Sequence, residues 1–433
     1  MTLQHFGWFL GAGFGVQGWG DPGYGVGYDW RKPRVYQDAA RSFEGAGLDL
    51  FIIEDGVTVP DTYGGTAEVN LSTARFVPKH DPLPLVPYLL SATERLGIVP
   101  TLSASFYEPF TAARLLATLQ HFADGRLGFN VVTSGSDLAA QNYGLDKQIE
   151  HDRRYDRAEE WVQVVRALWR SWEPDAIVED VAGGVFADHT KVTPIHHRGE
   201  FFQVRGPLNT APIAEEPVMV QAGASGRGQQ FAGRNSDVIL ALASTPERMK
   251  AYRDSIREVA AAEGRDPDEL TVLFVVQPIV TANAEETASV RAKRSELTQA
   301  AIDEALQSIS YLSGVDFKQF DLDRPLPELT TNSNQGTLDN FVKSAPAGST
   351  VREILQKRAN GDGLAVIGTP HEIADRLGGL ADAVGGDGFL FTGQVHPQNV
   401  HRTLDPLVPA LRSAGLLRSE LGDGGLRQNL ADF

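Results

Sequence analysis

Short apolar runs alternate along this chain with longer stretches whose apolar positions fall on one helical face. Residues 5–10, HFGWFL, predict a first strand. Residues 34–46 predict a helix, with Val35, Ala39, Phe43 and Ala46 near one face. LDLFIIED (48–55) predicts a second strand with acidic residues at its end. LPLVPYLLSATERLG then predicts a helix and IVPTLSAS a third strand. PFTAARLLATLQHFADG predicts a helix with proline near its start and glycine at its end. RLGFNVVTS predicts strand four and HDRRYDRAEEWVQVVRALWRSW a long amphipathic helix. An irregular stretch to about 215 holds a predicted hairpin, HHRGEFFQVRGPL. VMVQAG (strand five), a helix, DVILAL (six), the helix PERMKAYRDSIREVAAAEG and TVLFVVQPIV (seven) follow. A mostly helical and looped segment fills about 284–368, before DGFLFTG (387–393, strand eight) and the closing helix PQNVHRTLDPLVPALRSAG.

Eight strand–helix units in order predict an α/β fold, a (β/α)8 TIM barrel with insertions. A doubly wound sheet shares the alternation. The count of eight, and the lack of a glycine fingerprint after strand one, favour the barrel. The expected organisation is one barrel domain over 1–433, with insertions at about 174–215 (the hairpin) and about 284–368 (a helical or lid region). A barrel places its site at the strand C-termini. Strand two ends in Glu54-Asp55, strand three in Ser103 and Ser105, strand four carries Asn130 and ends in Thr133-Ser134, and strand five ends in Gly223 to Gly226. Small polar endings suit hydrogen bonds to a flat polar heterocycle. His151 and Tyr155, four apart at the start of the fourth helix, share a face.

The chain has 433 residues, of which 42% are hydrophobic and 22% charged, an ordinary globular balance. Its net charge of −17 argues against nucleic acid or an acidic membrane surface as a partner. The absence of cysteine removes disulfides, thiolate metal sites and cysteine nucleophiles, and fits a cytoplasmic protein. The apolar N-terminal stretch lacks a basic leader and is broken by glycine, and no run approaches membrane-spanning length. His196 and His197, adjacent on a strand, would face opposite sides, so no metal site is expected. Glu159-Glu160 is read as a solvated helix face.

QAGASGRGQQFAGR (221–234) resembles three nucleotide or nucleophile motifs and satisfies none. A nucleophile elbow needs glycine where Arg227 stands, a dinucleotide loop needs glycine where Phe231 stands, and a P-loop needs a lysine that is absent. What remains is an apolar strand stopping at glycine before a helix start. Backbone N–H groups there favour an anion, with Ser225 and Arg227 as added donors. An ordinary β–α turn capped by serine is the plainer alternative.

FNVVTS, EHDRRYDRAEEW, VFAD…HHRGEFFQVRGPL and QAGASGRGQQFAGR, in this order, resemble the FMN-dependent, bacterial-luciferase-like monooxygenases. The nearest branch is that of nitrilotriacetate monooxygenase component A and dibenzothiophene-sulfone monooxygenase. The resemblance spans about residues 5–420. It implies a TIM barrel, reduced FMN supplied by a separate NAD(P)H flavin reductase, O2 as co-substrate, and a homo-oligomer. It implies flavin-site roles for Asp55, for Ser103 or the register-shifted Thr101, and for Asn130, His151 and Tyr155. Ala224, Ser225 and Gly226 would cradle the phosphate. His151 is the one candidate for proton transfer.

The loop 11–30 and the segment near 310–350 are expected to shape the substrate pocket. Trp8, Phe9, Phe14 and Trp19 would suit a planar or apolar substrate, so a heteroaromatic molecule, with a flavin such as riboflavin among the candidates, degraded by oxygenation, is expected. Three other readings stay open: a deazaflavin-dependent oxidoreductase of the same superfamily, a cofactor-free barrel hydrolase using Glu54 and Asp55, and a flavin-binding protein without turnover.

Overall fold

The computed structural model describes residues 2–223, 225–243, 245–360 and 364–433. Eight strands form the barrel: β1 (His5–Leu10), β2 (Leu50–Ile53), β3 (Gly97–Ser103), β4 (Gly128–Val132), β5 (Val218–Gln221), β6 (Val238–Ala241), β7 (Thr271–Val280) and β8 (Gly388–Thr392). Each pairs in parallel with the next, and β8 returns to β1, so the sheet has no free edge among these strands. The matching helices are α1 (Pro33–Ala46), α2 (Val86–Leu90), α3 (Pro109–Ala123), α4 (His151–Trp169), α5 (Gly226–Asn235), α6 (Pro246–Ala262), α7 (Pro370–Val384) and α8 (Pro397–Ser413).

Strand alternation divides the core in two. Leu50, Ile52, Val99, Val220, Leu240, Val275 and Leu390 fill the barrel interior. Phe6, Trp8, Phe51, Ile98, Phe129 and Phe389 face the helix layer. Leu426, from the C-terminal segment, belongs to the interior cluster. A Cβ on Gly97 would lie 2.5 Å from Leu426 Cδ1, so only glycine admits that side chain.

Two expectations need correction. The helix expected over LPLVPYLLSATERLG shrinks to a 3-10 turn, Leu83–Leu85, and the short α2. Pro84 and Pro87 take up the first positions and the chain turns soon afterwards. Within the segment expected to be helix and loop, Ala365–Gly368 is a strand that pairs in parallel with the end of β7. Four residues are too few for periodicity to show.

The hairpin forms as expected, His197–Arg198 against Gln203–Val204. The second insertion contains helices Ala284–Ser295, Gln299–Ser313, Gln335–Val342 and Val351–Asn360. It has its own apolar cluster, built on Ile302, Leu306, Phe317, Leu338, Phe341 and Ile354. Burying a side chain such as Phe317 contributes about 2–3 kcal/mol, enough to order the segment rather than leave it a polar excursion.

Candidate active site

The polar wall of the barrel comes from β3 and β4. Val99 points inward, so Thr101 and Ser103, on the same parity, do too. Thr101 lies opposite Asn130 in the register. Asn130 Nδ2 donates to Thr101 Oγ1 at 3.0 Å, while Asn130 Oδ1 is buried with no partner. A buried amide oxygen of this kind is costly unless something donates to it. One pleat higher, Ser103 Oγ and Ser134 Oγ are 2.8 Å apart. Thr101 and Ser103 are thus neighbours on one wall, and neither displaces the other.

Asp55 sits just beyond β2, where the Gly56 N–H donates to it at 2.8 Å. Burial, reinforced by the adjacent Glu54 charge and partly offset by Lys79, pushes its pKa up to about 6. Glu54 is ion-paired to Lys79, whose side chain is only 2% exposed. Burial, the largest single effect, opposes the Lys79 ammonium, but Glu54, Tyr311 and Asp55 together outweigh it, so its pKa is raised. Lys79 belongs to a two-residue strand, Lys79–His80, paired antiparallel with Phe14–Gly15 of the first loop. Sequence reasoning missed it because it lies between predicted elements, with no periodic signal around it.

The strand-five turn closes onto α4. Ser225 caps α5, its Oγ accepting from the Gly228 N–H at 3.0 Å. A Cβ on Gly228 would lie 2.7 Å from the Tyr155 hydroxyl and 2.9 Å from Ser225 Oγ, so glycine allows the three to converge. A Cβ on Gly226 would meet nothing within 4 Å, which leaves open space at the first turn of α5. Tyr155 is buried, which raises its pKa, although Thr133, Ser225 and Gln221 pull the other way. Ala224 lies outside the described residues. Arg227 is not a donor to this space as expected. Its guanidinium pairs with Asp156 and Glu159 on α4 at 3.1 and 3.3 Å.

His151 opens α4, its ring edge-on to Tyr155 at 5.3 Å and its Nδ1 2.7 Å from Asp152 Oδ1. The expected solvated face at Glu159-Glu160 is instead a clamp between elements. Glu160 accepts from the Phe201 and Phe202 N–H groups and contacts His197 Nε2, holding the hairpin. Glu159 accepts from Asn235 Nδ2 at the end of α5. His197 is therefore occupied by Glu160, and no group of three or more His, Asp or Glu fit to hold a metal occurs among the described residues.

The aromatic set separates. Phe9 packs against the barrel-interior cluster. Phe14 lies in the first loop, against Tyr36 and His80. Trp19 is 52% exposed and packs edge-on to Tyr24 in that loop. Trp8 does not reach the pocket. It is 0% exposed, stacked on Phe43 of α1 at 4.7 Å, with its indole N–H donating to the Gly393 carbonyl. Strand parity sends it to the helix layer, the side opposite Phe9.

The mouth therefore offers an open helix start beside Ser225 and Tyr155, a wall with an unanswered acceptor at Asn130, and at Asp55 a carboxyl whose pKa burial raises to about 6. Residues 5–388 match the family described as luciferase-like monooxygenase. The chain is 33% identical to the dibenzothiophene-sulfone monooxygenase of Rhodococcus erythropolis, over 93% of this chain and 90% of that protein. It is 35% identical to the dimethyl-sulfide monooxygenase of Hyphomicrobium sulfonivorans, over 93% and 86% respectively. A riboflavin lyase solved with modified FMN and riboflavin superposes with a TM-score of 0.88 at 30% identity, covering 100% of this chain and 96% of that one.

Proposed function

The chain belongs to the luciferase-like monooxygenases, and from that premise we propose that it is the oxygenase half of a two-component system. In this reading it takes reduced FMN from a separate NAD(P)H flavin reductase and uses O2 to oxygenate a small heteroaromatic substrate. The family is reduced-flavin dependent and its named relatives are monooxygenases, so the chain is an oxidoreductase rather than a hydrolase. The observation that carries the FMN reading is the strand-five turn, where Ser225, Tyr155 and Gly228 converge beside the open first turn of α5. A phosphate monoester there would meet N–H donors and the positive end of a helix.

The remaining residues fit a polar ring. Asn130 Oδ1 awaits a donor, which a ring imide or amine would supply. Ser103 and Thr101 continue the same wall. Asp55 stands at the β2 rim, able to hold or release a proton near pH 6. His151 is the proposed proton-transfer residue, its ring held between Asp152 and Tyr155. When bound, the flavin supplies the oxygen chemistry. The chain's tasks are to grip the phosphate, orient the ring and keep water away. The loop 11–30, with Phe14 and Trp19, and the insertion near 310–350 are proposed to line the substrate side, and a flavin such as riboflavin is among the candidates. Degradative use, a cytoplasmic location and a homo-oligomer belong to the same proposal. No helix among the described residues is long and apolar enough to cross a membrane.

Anaerobic titration with reduced FMN, followed by O2 and a small set of heterocycles, tests this reading. Tight binding and products heavier by one oxygen are expected. Preference for a reduced deazaflavin over FMN would transfer the chain to the deazaflavin reading. Binding without O2-dependent turnover would leave a flavin-binding protein.

A further inference from the structure

Besides the pairing of Ala365–Gly368 with the end of β7, the second insertion reaches the barrel rim at two footings. On one side, Tyr63 from the loop after β2 donates to Asp303 at 2.8 Å, Arg75 pairs with Glu304, and the Phe76 and Tyr311 rings lie 4.7 Å apart. On the other side, residues 331–335 descend onto the loop after β4. A Cβ on Gly135 would come within 2.9 Å of the Ser333 backbone, so the two chains are in direct contact there. Gly135 adjoins Ser134, whose hydroxyl meets Ser103 at the end of β3. The insertion therefore rests on the rim that carries the polar wall.

Arg154 holds this second footing. It is 2% exposed, one residue before Tyr155 on α4. Its guanidinium donates to the Ile149 carbonyl at 2.8 Å, the Ser333 carbonyl at 3.0 Å and Asn332 Oδ1 at 3.4 Å. Asn332 returns a bond to the Ile149 carbonyl at 3.1 Å. No ion pair joins Arg154 to a carboxylate among the described residues. A buried cation is expensive to desolvate, and here its compensation comes from fixed carbonyl oxygens on two separate segments. The guanidinium fork suits that task, since it reaches both segments at once in one plane.

We propose that Arg154 is a positioning residue that seats residues 331–335 on the β3–β4 rim and thereby keeps bulk water out of the mouth. The inference rests on the proposed FMN reading for its consequence, but its structural half stands without flavin. Loss of the seat frees residues 331–335 while the footing at Asp303 and Glu304 and the cluster holding Leu338 and Phe341 remain. Water then enters at the wall that faces the ring, and reaction with O2 runs to hydrogen peroxide instead of product.

The test uses the full chain with Arg154→Gln, and Asn332→Ala as the variant on the opposite side of the contact. In flavin-free protein, hydrogen exchange across 331–335 should quicken about tenfold, with 299–313 unchanged. With reduced FMN bound, affinity should stay within about twofold of wild type, while peroxide release on mixing with O2 quickens about fivefold. Unchanged exchange over 331–335 in both variants, or unchanged peroxide release despite faster exchange, overturns the proposal. Should Arg154→Gln exchange faster throughout the barrel, Asn332→Ala decides by the same two readouts. If wild type binds no reduced FMN, the functional reading fails by itself, and the seat is judged on exchange alone.

Discussion

Asn130 gives its amide to Thr101 across 3.0 Å and keeps its own carbonyl oxygen buried with nothing donating to it. Two residues on neighbouring strands thus fix an acceptor facing the barrel interior before any ligand arrives. Replacing Asn130 with leucine removes the waiting acceptor at similar volume. Reduced-FMN affinity should fall about tenfold, the worth of a net hydrogen bond of roughly 1–1.5 kcal/mol, as read by anaerobic titration. Wild-type affinity in that variant would show that the oxygen does not meet the ring.

At the strand-five turn, Ser225 both caps α5 and borders the open first turn. Aspartate caps a helix about as well as serine, but brings a charge against a phosphate. Ser225→Asp should change stability by less than about 0.5 kcal/mol. Its reduced-FMN affinity should drop more than about tenfold, or 1.4 kcal/mol. Ser225→Ala should lose about 1 kcal/mol of stability with the cap. Unaltered affinity in the aspartate variant places the phosphate elsewhere.

Asp55 links stability to pH. Burial raises its folded-state pKa from 3.8 to about 6, so the folded protein keeps the proton to higher pH than the unfolded chain. Its favourable contribution is complete below about pH 4 and is lost as pH rises through about 6. Wild-type stability relative to Asp55→Asn should therefore fall by about 2–3 kcal/mol between pH 4 and 7. Denaturant titrations of both proteins across that range measure it. A difference that stays flat with pH contradicts the raised value.

Trp8 and Trp19 stand eleven positions apart and should behave oppositely. Trp8→Ala should cost about 3–5 kcal/mol, because it empties a site packed against Phe43 in the helix layer. Trp19→Ala should cost less than about 0.5 kcal/mol, because half its surface is already in water. If the loop 11–30 selects substrate, Trp19→Ala should alter the ratio of product to peroxide. No change in that ratio removes the loop from substrate choice.

The amino-acid pattern determined the barrel's strands, their order and most of the outer helices. Those features depend on local spacing of apolar residues, which a sequence displays directly. The Ser225 cap was also legible, since a cap needs only a serine before a glycine-rich helix start. The place of Trp8 follows from its strand parity with Phe6 and Leu10, which sends it to the helix layer, and its aromatic character carries no sign of that side.

Tertiary closure alone decided the pairings of the site. Thr101 and Asn130 are 29 positions apart, Glu54 and Lys79 are 25 apart, and Arg154 and Ser333 are 179 apart. Arg227 looked free for an anion until α5 packed on α4 and turned it toward Asp156 and Glu159. Such contacts arise when the sheet joins β8 to β1 and the insertion folds back over the rim. Distance along the chain carries no record of that closure, and charge pairing and desolvation act only once the partners have been brought within a few ångströms.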